Sequence, residues 1–86
     1  MMQFSPGNIV RSTAGRDKNH LYVVVTLTPN RVMVADGHRR RISAPKPKNI
    51  IHLQLVRHQA GCVSTDDEVR HILQNTDSQA DEKGGN

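Results

Sequence analysis

Among its 86 residues the chain has one cysteine, Cys62, no tryptophan, one phenylalanine and one tyrosine. A lone cysteine excludes an intrachain disulfide and any zinc site built on paired cysteines, and it suits a reducing compartment. The shortage of aromatics argues against a Pro-rich-peptide groove, which needs an aromatic lining. It also leaves Tyr22 and Phe4 as the only candidate platforms for stacking unpaired bases. Long apolar runs are missing: the longest, residues 21–25, falls far short of the roughly 20 residues that span a bilayer. Residues 1–6 carry neither the basic nor the apolar region of a secretory leader, so a cytoplasmic protein with no membrane partner is expected.

Catalytic patterns are also lacking. The five histidines, His20, His38, His52, His58 and His71, form neither an H-E-x-x-H run nor a paired Cys/His spacing. Cys62 has no base at a motif spacing, no G-x-S-x-G surrounds a serine, and most of the carboxylates gather at residues 66–68 and beyond. No enzyme, cofactor, metal or small-molecule substrate is expected.

What the chain does have is positive charge, unevenly spread. Residues 1–58 hold ten Lys and Arg against only Asp17 and Asp36, a net of +8, whereas residues 59–86 hold two against six carboxylates, a net of −4. A basic body with an acidic end suits a polyanion partner.

Hydrophobic alternation places strands over this basic body. Residues 8–12 read as the first, with Ile9 and Val10 on opposite faces. Residues 20–27 read as the second and most apolar. There the period of two sets Leu21, Val23, Val25 and Leu27 against Tyr22, Val24 and Thr26, and two apolar faces mark a central strand. Between these two strands, Gly15, Asp17 and Asn19 suit a tight turn, because they are residue types that tolerate left-handed backbone. After a turn at 28–30, a third strand is expected over 31–36. Asp36-Gly37 then signals a type I′ hairpin into a fourth strand over 38–43. Pro45 and Pro47 stop that strand. A fifth, over 49–56, would direct Ile51, Leu53 and Leu55 inward and His52 and Gln54 outward. Thr65-x-x-Glu68 is a capping box, and Val69, Ile72 and Leu73 follow at helical spacing, so a short amphipathic helix is expected from 66 to about 75. Residues 76–86 offer one apolar side chain, Ala80, too little to offset ordering entropy.

The stretch from Pro6 to Val25 resembles the KOW motif: a short strand, a turn on a glycine, a basic residue and a second hydrophobic strand. Gly15 falls on the motif's glycine and Lys18 on its basic position, while Asn19-His20 departs from the glycine that many members carry after the lysine. Val34-Ala35-Asp36-Gly37, Arg39-Arg40-Arg41-Ile42 and Ile50-Ile51-His52-Leu53-Gln54-Leu55 extend the likeness to the ribosomal L14e-like family, over about two thirds of the chain. The resemblance implies a mainly β fold, a small five-stranded SH3-like barrel over residues 1–58. A linker and short C-terminal helix would follow over 59–75, and a disordered acidic tail over 76–86.

The cations that such a fold would present are Arg16 and Lys18 on the first loop, Arg39, Arg40 and Arg41 on the fourth strand, and Lys46 and Lys48 on the proline-rich segment. Arginine forks and lysine point charges together suit phosphate, and few aromatics suit shape over base sequence. Charge alone does not separate RNA from duplex DNA. The resemblance implies a non-catalytic RNA-binding protein, contacting ribosomal or other structured RNA in translation or ribosome-related processes. The other reading is a protein-interaction module docking on a transcription or translation complex, with ribosomal or transcription proteins as partners.

Overall fold

The strongest alternation in the sequence forms the centre of the molecule. In the computed structural model, which describes residues 4–58 and 63–84, strand β2 (Leu21–Leu27) is flanked by β1 (Ile9–Ser12) and β3 (Val32–Ala35). Outside these lie β5 (Leu53–Arg57), beside β1, and β4 (Lys46–Lys48), beside β3. The result is a five-stranded antiparallel sheet in the order β4-β3-β2-β1-β5. β4 and β5 are its two edges, so the fold is mainly β with an open sheet. Among the described residues one α-helix, α1 (Asp66–Gly84), follows.

Because side chains alternate across a strand, the central sheet buries both faces. Val10, Tyr22, Val24, Val32, Val34 and Leu53 gather with Phe4 on one face. Ile9, Leu21 and Val23 gather on the other, where Val69 and Leu73 of α1 cover them. Ile9 and Val10 thus face opposite ways, as alternation requires. The strict period of β2 fails at its end. The register with β3 shifts between Val24 and Thr26, and Leu27 joins Tyr22 and Val24 where simple alternation puts it with Leu21 and Val23. An extra residue in one strand reverses the facing of everything beyond it.

The fourth strand is not at 38–43. That segment is a loop, and the strand is Lys46–Lys48, paired with β3 as Met33↔Pro47 between Val32↔Lys48 and Val34↔Lys46. Three consecutive arginines give no apolar face to bury, whereas a proline can sit in an edge strand whose outer side makes no ladder bonds. The Asp36-Gly37 hairpin does not form as a two-residue turn either. Gly37 has φ +81°, but Asp36 is not left-handed, and its carboxylate instead accepts from the N–H groups of His38 (2.9 Å) and Arg40 (3.0 Å). A side chain that satisfies the loop's own backbone donors removes the need for a tight hairpin.

The fifth strand starts late. Asn49 accepts a hydrogen bond from Ile51 N–H (3.1 Å) and caps a single 3₁₀ turn, Ile50–His52. The turn shifts the facing: Ile50 packs on the core, Ile51 is 74% exposed, and Leu53 is buried. Ile51 therefore points outward, against the inward facing that alternation predicts, while His52 and Gln54 are outward as expected.

The helix begins as its capping box requires. Glu68 N–H donates to Thr65 Oγ1 (3.2 Å), and Thr65 N–H donates to Glu68 Oε1 (3.1 Å). Its far end, Gly84, lies beyond the expected stop near residue 75, and buried Thr76 returns its hydroxyl to Ile72 O (2.9 Å). The expected linker falls partly on residues 59–62, outside the described residues, as do residues 85 and 86 of the tail.

Candidate nucleic-acid interface

Antiparallel order puts the β1–β2 loop (13–20) and the β3–β4 loop (36–45) at one end of the sheet. These two loops and β4 carry all seven expected cations against Asp17 and Asp36, a net of +5. The β2–β3 turn, with Arg31, lies at the opposite end.

In such a basic setting the two carboxylates must be accounted for, and both are turned into the protein. Asp17 accepts from Ser12 Oγ (2.8 Å), Tyr22 Oη (2.7 Å), Lys48 Nζ (3.2 Å) and Lys46 Nζ (3.3 Å). Burial opposes its ionisation, but these four donors outweigh burial and hold its carboxyl well below the usual carboxylate range. Tyr22, desolvated and donating to that carboxylate, is held well above the ordinary phenol range.

Asp36 makes the second hub. Besides the two backbone donors, it accepts from His20 Nε2 at 2.8 Å, which joins the two cationic loops. Burial again opposes ionisation, and the hydrogen bonds of Arg40, His38 and His20 prevail, so its carboxyl is also lowered.

The cations divide accordingly. Arg16 and Lys18 flank inward-turned Asp17 and are exposed, on a turn whose Gly15 has φ +86° and whose Asn19 has φ +75°. Arg39, Arg40 and Arg41 are exposed on the β3–β4 loop. As the arginines are not on a strand, they need not alternate between faces. Lys46 and Lys48 belong elsewhere: their side chains are 31% and 10% exposed, and both ammonium groups pair with Asp17. They anchor the first loop to β4 and leave five exposed cations.

The β3–β4 loop is also fixed to α1. Ile42 N–H donates to Asp66 Oδ1 (2.9 Å), and Arg70 Nη1 donates to Gly37 O (2.6 Å) while pairing with Asp67. A Cβ on Gly37 would lie 2.7 Å from Asp66 O, so only glycine permits this approach. Beside this junction is an open cleft of about 540 Å³, with Leu21 and Leu73 among its apolar lining and His20, Arg70 and Gln74 among its polar lining.

Sequence reasoning missed Asp17, Asp36 and His20 as organisers of this end. The available signal was scarcity: two carboxylates among ten cations in residues 1–58 have every reason to be paired. Among the described residues, no group of three or more His, Cys, Asp or Glu could hold a metal ion, and no helix is long and apolar enough to cross a membrane. No protein-family model matches the chain, and no curated protein matches it.

Proposed function

We propose that the protein is a non-catalytic RNA-binding protein of the KOW, SH3-like type that holds structured RNA, ribosomal RNA above all, in translation or ribosome-related processes in the cytoplasm. The observation that carries this reading is the cationic end of the sheet: Arg16, Lys18, Arg39, Arg40 and Arg41 are exposed, while both carboxylates of the two loops, Asp17 and Asp36, are satisfied internally. Phosphate can approach these cations without competition from an acid of the loops themselves, and of the carboxylates that open α1 beside them Asp66 accepts from Ile42 N–H and Asp67 pairs with Arg70. The strand order, in which β5 returns beside β1 after a meander, is compatible with the barrel that the sequence resemblance implies.

Replacing Arg39 and Arg41 together by Glu tests the reading, because two attractions become two repulsions on an exposed loop. Binding to a structured RNA should fall by at least about tenfold with the amide spectrum intact. Arg31→Glu, at the opposite end, is the control and should change affinity little. Arg70 does not serve as a control, since it holds Gly37 in place.

Exposed Ile51, just before the edge strand β5, favours the second reading, a module docking on a transcription or translation complex. Co-purifying protein that survives nuclease treatment and is lost in Ile51→Glu would support it. RNA lost on nuclease treatment would support the first.

A further inference from the structure

We propose that the cleft between the two cationic loops and α1 receives one unstacked base of the bound RNA, so that the protein selects structured RNA with an unpaired nucleotide beside a duplex. The proposal rests on the RNA-binding reading above and adds a base site to its phosphate contacts.

The cleft adjoins the ends of both cationic loops: Asn19 and His20 close the first, and Asp36 and His38 open the second. A nucleotide entering it would leave its neighbours' phosphates near Arg39, Arg40 and Arg41. Its volume, about 540 Å³, lies within the usual range for a small-molecule site.

The lining has the chemistry a base needs. Leu21 and Leu73 give apolar contact. The amides of Asn19 and Gln74 each offer a donor pair and an acceptor, the complement of a base edge. His20 supplies an aromatic ring in the wall of the cleft. Its side chain is 47% exposed, and its orientation is fixed by Nε2···Asp36 (2.8 Å) and by an edge contact with Tyr22, centroids 4.7 Å apart at 63°. Histidine is one of the rings on which splayed RNA bases stack, and a ring held in place beforehand loses little freedom when it does so. Tyr22 is buried and cannot take that role. Asp36, the acid of the cleft, is occupied by three donors and so repels the nucleotide less than a free carboxylate would.

The test compares two hairpins of identical stem, one fully paired and one with a single-nucleotide bulge, titrated by fluorescence anisotropy against the full chain. The bulged hairpin should bind about tenfold tighter, the low end of what stacking one base on a ring contributes. His20→Ala should abolish that preference and His20→Phe should keep most of it; because both also release Asp36, the readout is each variant's ratio of bulged to paired affinity and not its affinity for the paired hairpin. Gln74→Ala, at an exposed helix position, should reduce the preference without touching the fold. In the unsubstituted protein, the Leu73 methyl and Gln74 amide resonances should shift with the bulged hairpin and not with the paired one.

Equal affinity for the two hairpins, with binding still lost on reversing Arg39 and Arg41, overturns the base site and leaves the RNA-binding reading standing. A bulge preference that survives in His20→Ala, or a bulged hairpin that leaves Leu73 and Gln74 unshifted, also overturns it. Failure to bind either hairpin overturns the RNA-binding reading and the base site with it.

Discussion

Replacing Asp17 by Asn keeps size and shape but removes the charge that four donors share. Lys46, 31% exposed, can turn toward water. Lys48, 10% exposed, loses its counter-charge where solvent reaches it poorly, and the buried Tyr22 hydroxyl faces an amide with half the acceptor capacity. Breaking a fully buried ion pair from one side costs about 3–5 kcal/mol; this pair is partly buried and its lysine stem can extend toward solvent, which places the loss at about 2 kcal/mol, between that range and the value of an exposed pair. Small domains have about 5–15 kcal/mol in all. The loss should depend on pH. Because the folded carboxyl is lowered relative to the unfolded one, its contribution is complete above the unfolded value of about 4 and disappears as pH falls toward the folded value. Urea unfolding at pH 7 should therefore show the full loss, and the gap between parent and Asp17→Asn should narrow steadily below about pH 4. A loss under about 1 kcal/mol, or a gap that does not change with pH, would refute the hub.

Three further outcomes follow from the same structure. Tyr22 is the one tyrosine, and its phenol is raised by burial and by Asp17, so its contribution is complete below the unfolded value of about 10 and is lost as pH rises beyond it. Tyrosinate absorbance should appear together with alkaline unfolding, and Tyr22→Phe should flatten that limb relative to the parent; free ionisation in the folded state would contradict this. Gly15 and Gly37 share positive φ but differ in surroundings, so Gly15→Ala should cost about 1 kcal/mol of conformational strain and Gly37→Ala, against Asp66 O, at least about twice that; equal losses in thermal unfolding would refute the close packing of α1. Val69→Ala should cost about 2 kcal/mol or more and expose the Leu21 and Val23 amides to hydrogen exchange, whereas an unchanged midpoint would mean that α1 does not seal that face.

The extent to which the sequence foretells the structure varies with what each residue responds to. β1, β2 and β3 answer to local alternation, and their expected positions agree with the observed strands to within a residue at either end. The capping box and the i, i+3, i+4 set at Val69, Ile72 and Leu73 are equally local, and they fixed where α1 begins and which side it buries. β4 answers to a long-range demand, since Lys46 and Lys48 are placed by Asp17, 29 and 31 residues away, and a propensity argument sees only Pro47. Ile51 is misjudged for a related reason: one side chain, Asn49, starts a 3₁₀ turn and changes the phase. At the candidate interface, the cations on the loops were legible as charges but not as a divided set. Which of them are engaged depends on where two carboxylates point, and no spacing rule encodes that.

The most direct test of the central claim is the salt dependence of affinity for a structured RNA. With Arg16, Lys18, Arg39, Arg40 and Arg41 each neutralising a phosphate, log K should fall against log salt with a slope of about −3.5 to −4.5, by the counterion release expected for single and double strands. The Arg39→Glu/Arg41→Glu variant should give a distinctly shallower slope, and Arg31→Glu the parent's. A slope near zero for the parent, or one unchanged by the double reversal in a folded variant, would mean that these loops are a solvated surface and not the site where RNA is held.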